Sequence, residues 1–276
     1  MAASPNPYSI DDLKKIARKI RRDIIMMVGT AGSGHPGGSL SAVEILTALY
    51  FRVLRHNPAD PFWEERDRFI LSKGHAVPVL YSTLCESGYL PEAELATLRK
   101  MDSRLQGHPE CHLLPGIEMS SGALGQGLSF GIGVALKARL DRQEYYTFVL
   151  MGDGETQEGQ VWEAAMAAAQ FKLDNLIAIV DKNGIQIDGW TRDVMNIDPL
   201  DEKWKSFNWN VIETEGNDLG RVIEALERAR QKNGYPTVVI ANTVKGEGVS
   251  FMENNPDFHG KAPNPDEMKK ALEELE

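Results

Sequence analysis

Two short stretches carry oxygen-bearing side chains of the kind that hold a hard cation. Gly152-Asp153-Gly154 breaks the apolar run Tyr145–Met151, and Asn183-Gly184 follows the apolar run Leu176–Val180. A carboxylate from the first and an amide oxygen from the second suit Mg2+, with Ca2+ or Mn2+ as alternatives, since these ions take oxygen ligands and often keep phosphate oxygens in their shell. The glycines beside Asp153 let backbone and diphosphate approach closely, and a following helix N-terminus favours an anion. A backbone carbonyl from the Asn183–Ile185 turn completes the protein's share of ligands. Either motif alone is an ordinary strand-ending turn. Their pairing across one strand–helix–strand unit reads as a metal–diphosphate clamp.

Four of the six histidines share a setting: Gly34-His35-Pro36-Gly37, Lys73-Gly74-His75-Ala76, Gly107-His108-Pro109-Glu110 and His259-Gly260. Three directly follow a glycine, in loops after a helix or strand, where a rigid scaffold presents functional groups. Imidazole both donates to phosphate or hydroxyl oxygens and shuttles protons near neutrality. One such histidine is a turn residue; four beside a diphosphate clamp point to function. His56 and His112 lack the setting and are read as structural.

The elements that must position these residues alternate. Ser9–Val28 opens on an N-cap, Ser9, and spaces Leu13, Ile16, Ile20, Ile24 and Met27 along one helical face. The glycine-rich stretch Gly29–Gly38 ends it, and Ser39 or Ser41 starts another helix. Arg68–Leu71 is a short buried strand, followed by helices near Val77–Ser87 and Pro91–Lys100. Tyr145–Met151 and Leu176–Val180 read as strands covered on both faces, with the helix Glu158–Phe171 between them. The strand Trp209–Ile212, the helix Leu219–Gln231 and the strand Thr237–Ala241 repeat the pattern, and Asp266–Leu275 closes the chain as a helix. Strand, helix, strand in this order implies parallel pairing by right-handed crossovers. The expected fold is α/β: an open, doubly wound, mostly parallel sheet flanked by helices. Without a linker or repeat, residues 1–276 read as a single domain.

Composition fits this reading. The chain has 276 residues, 42% apolar and 25% charged, ordinary for a well-cored protein. A formal charge of −10 with no basic block argues against nucleic acid as a partner. No apolar run reaches the length of a membrane span. The start, Met1 to Ser9, is small and polar and unlike a signal peptide. Cys85 and Cys111 form no ligand-type cluster, so both thiols are expected free in a reducing cytoplasm.

The chain resembles the cofactor-binding half of the transketolase family. The matching stretches are Ser33-Gly34-His35-Pro36-Gly37, Leu71-Ser72-Lys73-Gly74-His75-Ala76, Gly107-His108-Pro109-Glu110, Ser121-Gly122-Ala123-Leu124-Gly125-Gln126-Gly127, Gly152-Asp153-Gly154-Glu155-Thr156-Gln157-Glu158-Gly159 and Asp181-Lys182-Asn183-Gly184-Ile185. They keep the family's order over nearly the whole chain. The resemblance implies a thiamine diphosphate-binding fold of the PP type. It implies that Asp153, Asn183 and the Ile185 carbonyl hold the metal, and that Gly154, His75 and His259 contact the diphosphate, with Gly152 and Glu155 in the same cofactor set. Gly122, Ala123 and Leu124 would approach the aminopyrimidine through their backbone. His35, His75, His108 and His259 would line the substrate channel and handle hydroxyl protons. Glu158 would belong to a charge relay near the subunit interface, although an acid at a helix N-terminus also favours the dipole. Lys245 departs from the family's commoner text and is expected to be a solvated loop lysine.

By the same resemblance, the pyrimidine-binding domain and the residues gripping the substrate phosphate lie in a part that would follow His259-Gly260. The chain ends at Glu276, so the pyrimidine-binding and C-terminal domains are expected on a separate partner subunit, in an assembly with two copies of each chain (a heterotetramer). The implied reaction cleaves the bond between C2 and C3 of a ketose phosphate and passes two carbons to an aldose, as in the pentose phosphate pathway. Rival readings are a deoxyxylulose-phosphate synthase half, expected to depart from the two His-Pro texts; a 2-oxo acid dehydrogenase α subunit, expected to lack the spread of histidines; and a non-catalytic cofactor-binding module.

Overall fold

The computed structural model describes residues 8–276; the small, polar start of the chain lies, up to residue 7, outside them. Helix α1 (Ile10–Ala31) begins as the sequence predicts. Ser9 accepts the Asp12 amide while the Asp12 carboxylate accepts from the Ser9 backbone, a capping box. The helix runs three residues past the expected end and stops at Gly32 in the left-handed region. The next helix starts earlier than expected. α2 (Pro36–Leu40) has Pro36 in its first turn and His35 as its N-cap, and α3 (Val43–Ala48) continues into one π turn over 49–53. Proline's fixed φ suits a first helical position, so the His-Pro text is itself the start signal.

The main sheet has five parallel strands: β1 (Arg68–Leu71), β2 (Thr147–Gly152), β3 (Leu176–Lys182), β6 (Asn210–Glu215) and β7 (Thr237–Asn242), ordered β1-β2-β3-β7-β6. A small antiparallel hairpin, β4 (Ile185–Gln186) and β5 (Gly189–Trp190), leaves the end of β3. The side chains of β1, β2, β3 and β7 divide by period two. Leu71, Phe148, Leu150, Ile179 and Val239 join one core with α1, α3, α4 (Val77–Glu86) and α9 (Leu219–Ala229). Ile70, Val149, Met151, Ala178 and Ile240 join the other with α5 (Gln126–Leu140), α6 (Gly159–Gln170) and α8 (Leu200–Ser206). Helices thus cover both faces, as a doubly wound sheet requires. One short helix, α7 (Thr191–Val194), follows the hairpin, and α10 (Pro265–Glu274) ends the chain against α1.

Two expectations change. The helix expected near Pro91–Lys100 is a 3-10 segment, Glu92–Thr97, and α5 lies in a stretch to which the sequence reading assigns no element. Among the described residues no helix is long and apolar enough to cross a membrane.

Candidate active site

The order β1-β2-β3-β7-β6 reverses direction after β3, and open α/β sheets bind ligands beyond the carboxyl ends of strands at such a switch. Four adjacent strands end there with a polar residue each. Lys73 follows β1, Asp153 follows β2, Asn183 follows β3 and Lys245 lies three residues past β7. They share a cavity of ≈360 Å3, also lined by His35, His75, His108, His259, Gly122, Leu124, Gly152, Gly154, Glu155, Glu158 and Ile185. Ala123 faces a more open groove beside it, next to His108 and Pro109. The structure therefore brings together nearly all the residues singled out by type and spacing.

Asp153 is buried and bound by its own loops: its carboxylate accepts the Gly184 amide at 2.7 Å and the Gly154 amide at 2.9 Å. Burial, and then the neighbouring Asp181, push its carboxyl up to about 6 against those two hydrogen bonds. A cation relieves that penalty, and the donor set present (carboxylate, amide oxygen, carbonyl) is the oxygen set a hard cation takes. Asn183 is held by both ends of its amide. Oδ1 accepts the Ile185 amide at 3.1 Å, and Nδ2 donates to Asp181 at 3.1 Å. The space in front stays open because several nearby positions are glycines. A Cβ on Gly154 would sit 3.2 Å from the Gln186 Cβ, and one on Gly122 would sit 3.3 Å from the His108 ring. The residues fit a divalent cation with a diphosphate.

Beneath these ligands lies a layer to which the sequence reading gives no role. Asp181 is fully buried and accepts from Lys73, from Thr243 and from Ser41 at 2.6 Å, as well as from Asn183. Lys73, equally buried, also donates to the Gly38 carbonyl at 2.8 Å. Burial raises the Asp181 carboxyl, but the Lys73 charge and these donors overcome it and hold the group below its ordinary value. The signal was available: Asp181 and Lys73 both stand inside the family-like stretches, at the ends of apolar strands where a charge needs a partner.

Lys245 corrects an expectation. It is no solvated loop lysine but is 2% exposed, donating to the Ile185 carbonyl at 2.8 Å and meeting His259 Nδ1 at 2.9 Å. Burial pushes its ammonium down to about 8, partly offset by Asp153. Glu155, expected among the cofactor contacts, has both carboxylate oxygens engaged internally: it accepts from Ser72, from Gly125 N–H at 2.9 Å and from Gly152 N–H at 3.0 Å. It thereby ties the end of β1, the start of α5 and the end of β2 to one another. Glu158 occupies the N-cap of α6 without a side-chain capping bond. Glu110, Cys111 and His112 also gather their ligand atoms within 4.8 Å. This departs from the expectation that neither cysteine joins a ligand-type cluster, but the three are consecutive residues of a surface loop. Both cysteines are free.

The four histidines form one group. Ring centroids are 5.2 Å apart for His35–His75, 5.7 Å for His35–His259, 5.1 Å for His75–His259 and 6.3 Å for His35–His108. Burial is the first cause that lowers each one's proton affinity, followed by nearby cations. His35 falls to about 4 with Arg99 next in effect, and His259 to about 3 with Lys245 next. His75 and His108 are lowered as well. His35 Nδ1 is buried with no hydrogen-bond partner, so no neighbouring group fixes its protonation. His56, by contrast, stacks on Tyr89 and bonds the Tyr50 carbonyl at 2.7 Å, the structural role expected of it.

Fold and site together define an α/β protein whose crevice, at the carboxyl edge of a parallel sheet, gathers oxygen donors suited to a divalent cation with a diphosphate beneath a cluster of imidazoles. The family model described as "Transketolase, thiamine diphosphate binding domain" matches residues 13–275, and the chain belongs to that family. It is 50% identical over 273 residues to an apulose-4-phosphate transketolase subunit from Actinobacillus succinogenes, covering 98% of this chain and 99% of that one. It is 42% identical to a 6-deoxy-6-sulfo-D-fructose transketolase subunit of a Clostridium species, covering 96% of each. The crystal structure of transketolase from Campylobacter jejuni superposes with a TM-score of 0.92 at 34% identity, covering 97% of this chain and 43% of that one. The chain thus matches the subunit relatives end to end and spans about two-fifths of the longer transketolases.

Proposed function

We propose that this chain is the thiamine diphosphate- and metal-binding subunit of a two-chain transketolase. The complex would move a two-carbon ketol unit from a ketose phosphate, or a ketose with another anionic group, to an aldose or aldose phosphate. The observation that carries this reading is the convergence of Asp153 and Asn183 with four imidazoles in one cavity. The names of the two subunit relatives support it. They also widen the expected setting beyond the pentose phosphate pathway, because those names specify apulose 4-phosphate and a sulfonated fructose.

In this reading Asp153, Asn183 and the carbonyl of Ile185 hold a divalent cation, Mg2+ first and Ca2+ or Mn2+ as substitutes. Gly152, Gly154, His75 and His259 receive the diphosphate, and the backbone of Gly122, Ala123 and Leu124 faces the aminopyrimidine. The cofactor, when bound, supplies the nucleophilic carbon and the electron sink that ketol transfer needs. The chain's own residues bind, orient and move protons. Imidazoles whose proton affinity burial lowers offer, when neutral, one N–H and one lone pair each, so His35, His75 and His108 can take or return hydroxyl protons of the sugar at positions close to one another. Lys245 and Lys73 offset the charge of Asp153 and Asp181 and leave the crevice tolerant of an anion. Glu155 holds the Gly152 and Gly125 backbones in place, and Glu158, exposed at the head of α6, faces a neighbouring subunit.

The partner is a separate subunit with the pyrimidine-binding domain, and two copies of each chain assemble in the cytoplasm, where two free thiols persist. Purification of this chain with and without its co-purifying partner tests the proposal. With thiamine diphosphate and Mg2+, ketol transfer from a ketose phosphate is expected only from the complex, and Asp153→Asn is expected to abolish it. In the chain itself, Asp153→Asn is expected to weaken Mn2+-dependent thiamine diphosphate binding by calorimetry at least about 100-fold, since even outer-shell partners of a metal are worth 10- to 100-fold. Transfer by the isolated chain, or undiminished binding by the variant, would count against it.

A further inference from the structure

Among the described residues, three of the clustered histidines make no side-chain hydrogen bond that fixes which ring nitrogen carries the proton, whereas the fourth does. His259 Nδ1 lies 2.9 Å from Lys245 Nζ. An ammonium has three donors and no acceptor, so the ring nitrogen facing it must offer its lone pair. We propose that Lys245 is a positioning residue that holds His259 as the tautomer whose Nε2 carries the proton, making His259 a hydrogen-bond donor toward the crevice and not a base.

The geometry around the pair leaves the lysine little freedom. Its stem crosses Gly37, where a Cβ would meet Lys245 Cγ at 3.2 Å and Cε at 3.4 Å, so the glycine of the His-Pro-Gly text clears the path. Its backbone is tied at both ends, the Lys245 carbonyl accepting the Asn254 amide at 2.8 Å and the Gly246 amide donating to the Gly37 carbonyl at 3.1 Å. A second Nζ–H is committed to the Ile185 carbonyl at 2.8 Å. With the stem confined and one donor anchored, a donor is left pointing at His259. The ring itself ends a 3-10 turn, Pro256–His259, whose start is fixed by Pro256 and by Asn255 accepting the Asp257 amide. It stacks on His75 at 5.1 Å and 28° and meets His35 edge-on at 5.7 Å. The low proton affinity of His259 agrees: burial, and then the Lys245 charge, exclude a second proton from the ring at neutral pH.

The consequence separates one imidazole from the others. The residues expected to share the handling of hydroxyl protons divide into a fixed donor, His259, and three rings free to exchange roles. An N–H fixed on a ring that lines the crevice suits a phosphate oxygen, or a sugar oxygen acting as acceptor. The catalytic meaning of this rests on the function proposed above. The tautomer does not, because it is measured without cofactor, metal or partner, so the two ideas can fail separately.

The test is nitrogen NMR of the full chain labelled with 15N at histidine and lysine. His259 is assigned by the signals lost in His259→Gln. Long-range correlations between ring carbon-bound protons and both ring nitrogens report the tautomer directly. The wild-type chain is expected to show His259 as the Nε2–H form at neutral pH, with a scalar coupling between Lys245 Nζ and His259 Nδ1 across the hydrogen bond. In Lys245→Met, which keeps the stem and removes the donors, the ratio of Nε2–H to Nδ1–H forms is expected to fall roughly tenfold or more, the size of one charge-assisted hydrogen bond. Lys245→Arg is expected to restore it in part, and the signals of His56 are expected to stay put as a control for the fold. A wild-type His259 in the Nδ1–H form would overturn the proposal even if the methionine variant fails to fold. An unchanged ratio in a folded Lys245→Met would overturn it equally.

Discussion

A single residue position shows how this site is built from opposed penalties. Asp181 and Lys73 are both buried and paired, and each would be costly in isolation. Asp181 also orients the Asn183 amide so that its oxygen turns away from the carboxylate, which is what a cation ligand requires. Replacing Lys73 by Met leaves Asp181 charged in a site remote from water, and replacing Asp181 by Asn leaves the buried Lys73 ammonium with neutral acceptors and no counter-charge. Each change is expected to cost about 3–5 kcal/mol, the range for breaking one side of a buried pair. The double variant is expected to cost clearly less than the two together, because neither charge is then stranded. Urea unfolding of the four proteins in the cycle measures this. Simple additivity would mean that the pair is not coupled and that Ser41 and Thr243 alone satisfy Asp181.

At the scale of elements, α5 is decided by glycine. It lies so close to the sheet that a Cβ on Gly127 would come 2.4 Å from the Ser72 Cβ and 2.9 Å from its Cα, and one on Gly131 would come 2.6 Å from Val149 Cγ2. Gly133, on the same helix, has nothing within 4 Å. Gly127→Ala and Gly133→Ala should therefore differ in sign. The first is expected to destabilise by about 1–3 kcal/mol through overpacking, and the second to stabilise by about 0.5–1 kcal/mol through helix propensity. Denaturant midpoints decide it, and two changes of the same sign would mean that α5 does not lie this close to the sheet. The same glycines explain what the sequence hid. Ser121–Gly127 is dense in glycine and shows no helical stripe, although Gly127, with Gly131 further along, serves close helix–sheet packing and not a turn. Strands buried on both faces were legible because their apolar runs are continuous, and α1 was legible because its cap and stripe agree. The clamp was legible because Asp153 and Asn183 each stand at the end of such a run. Lys245 was not: its burial depends on contacts with Gly37, Ile185 and His259, residues distant in sequence whose approach no local pattern encodes.

For the molecule as a whole, the grouping of neutral imidazoles sets a dependence on pH. His35 and His259 are pushed down to about 4 and about 3, and His56 and His75 are lowered too, burial being the first cause in each. In the unfolded chain the same rings titrate near 6.5. As pH falls through that value the unfolded state takes up protons that the folded state refuses, so stability is present above about 6.5 and lost below it. Each such proton adds about 1.4 kcal/mol per pH unit to the slope. Asp153, held up at about 6, works the other way, since the folded state binds its proton first, and so do Asp23, Glu155 and Glu247, whose carboxyls burial raises. But His108 is lowered with the other rings, and unfolded carboxyls start at about 4 where unfolded imidazoles start at about 6.5, so the five histidines are expected to outweigh the acids between pH 6.5 and 5.5. Chemical unfolding over that interval is expected to show stability falling with acid more steeply than one proton allows. His35→Gln and His259→Gln are each expected to reduce the slope by about one proton, because neither leaves a ring to titrate in the unfolded chain. A stability that is flat or rises from pH 6.5 to 5.5 would mean that these rings do not enter the fold as neutral groups, and the donor and acceptor roles given to those in the crevice would have to be reassigned.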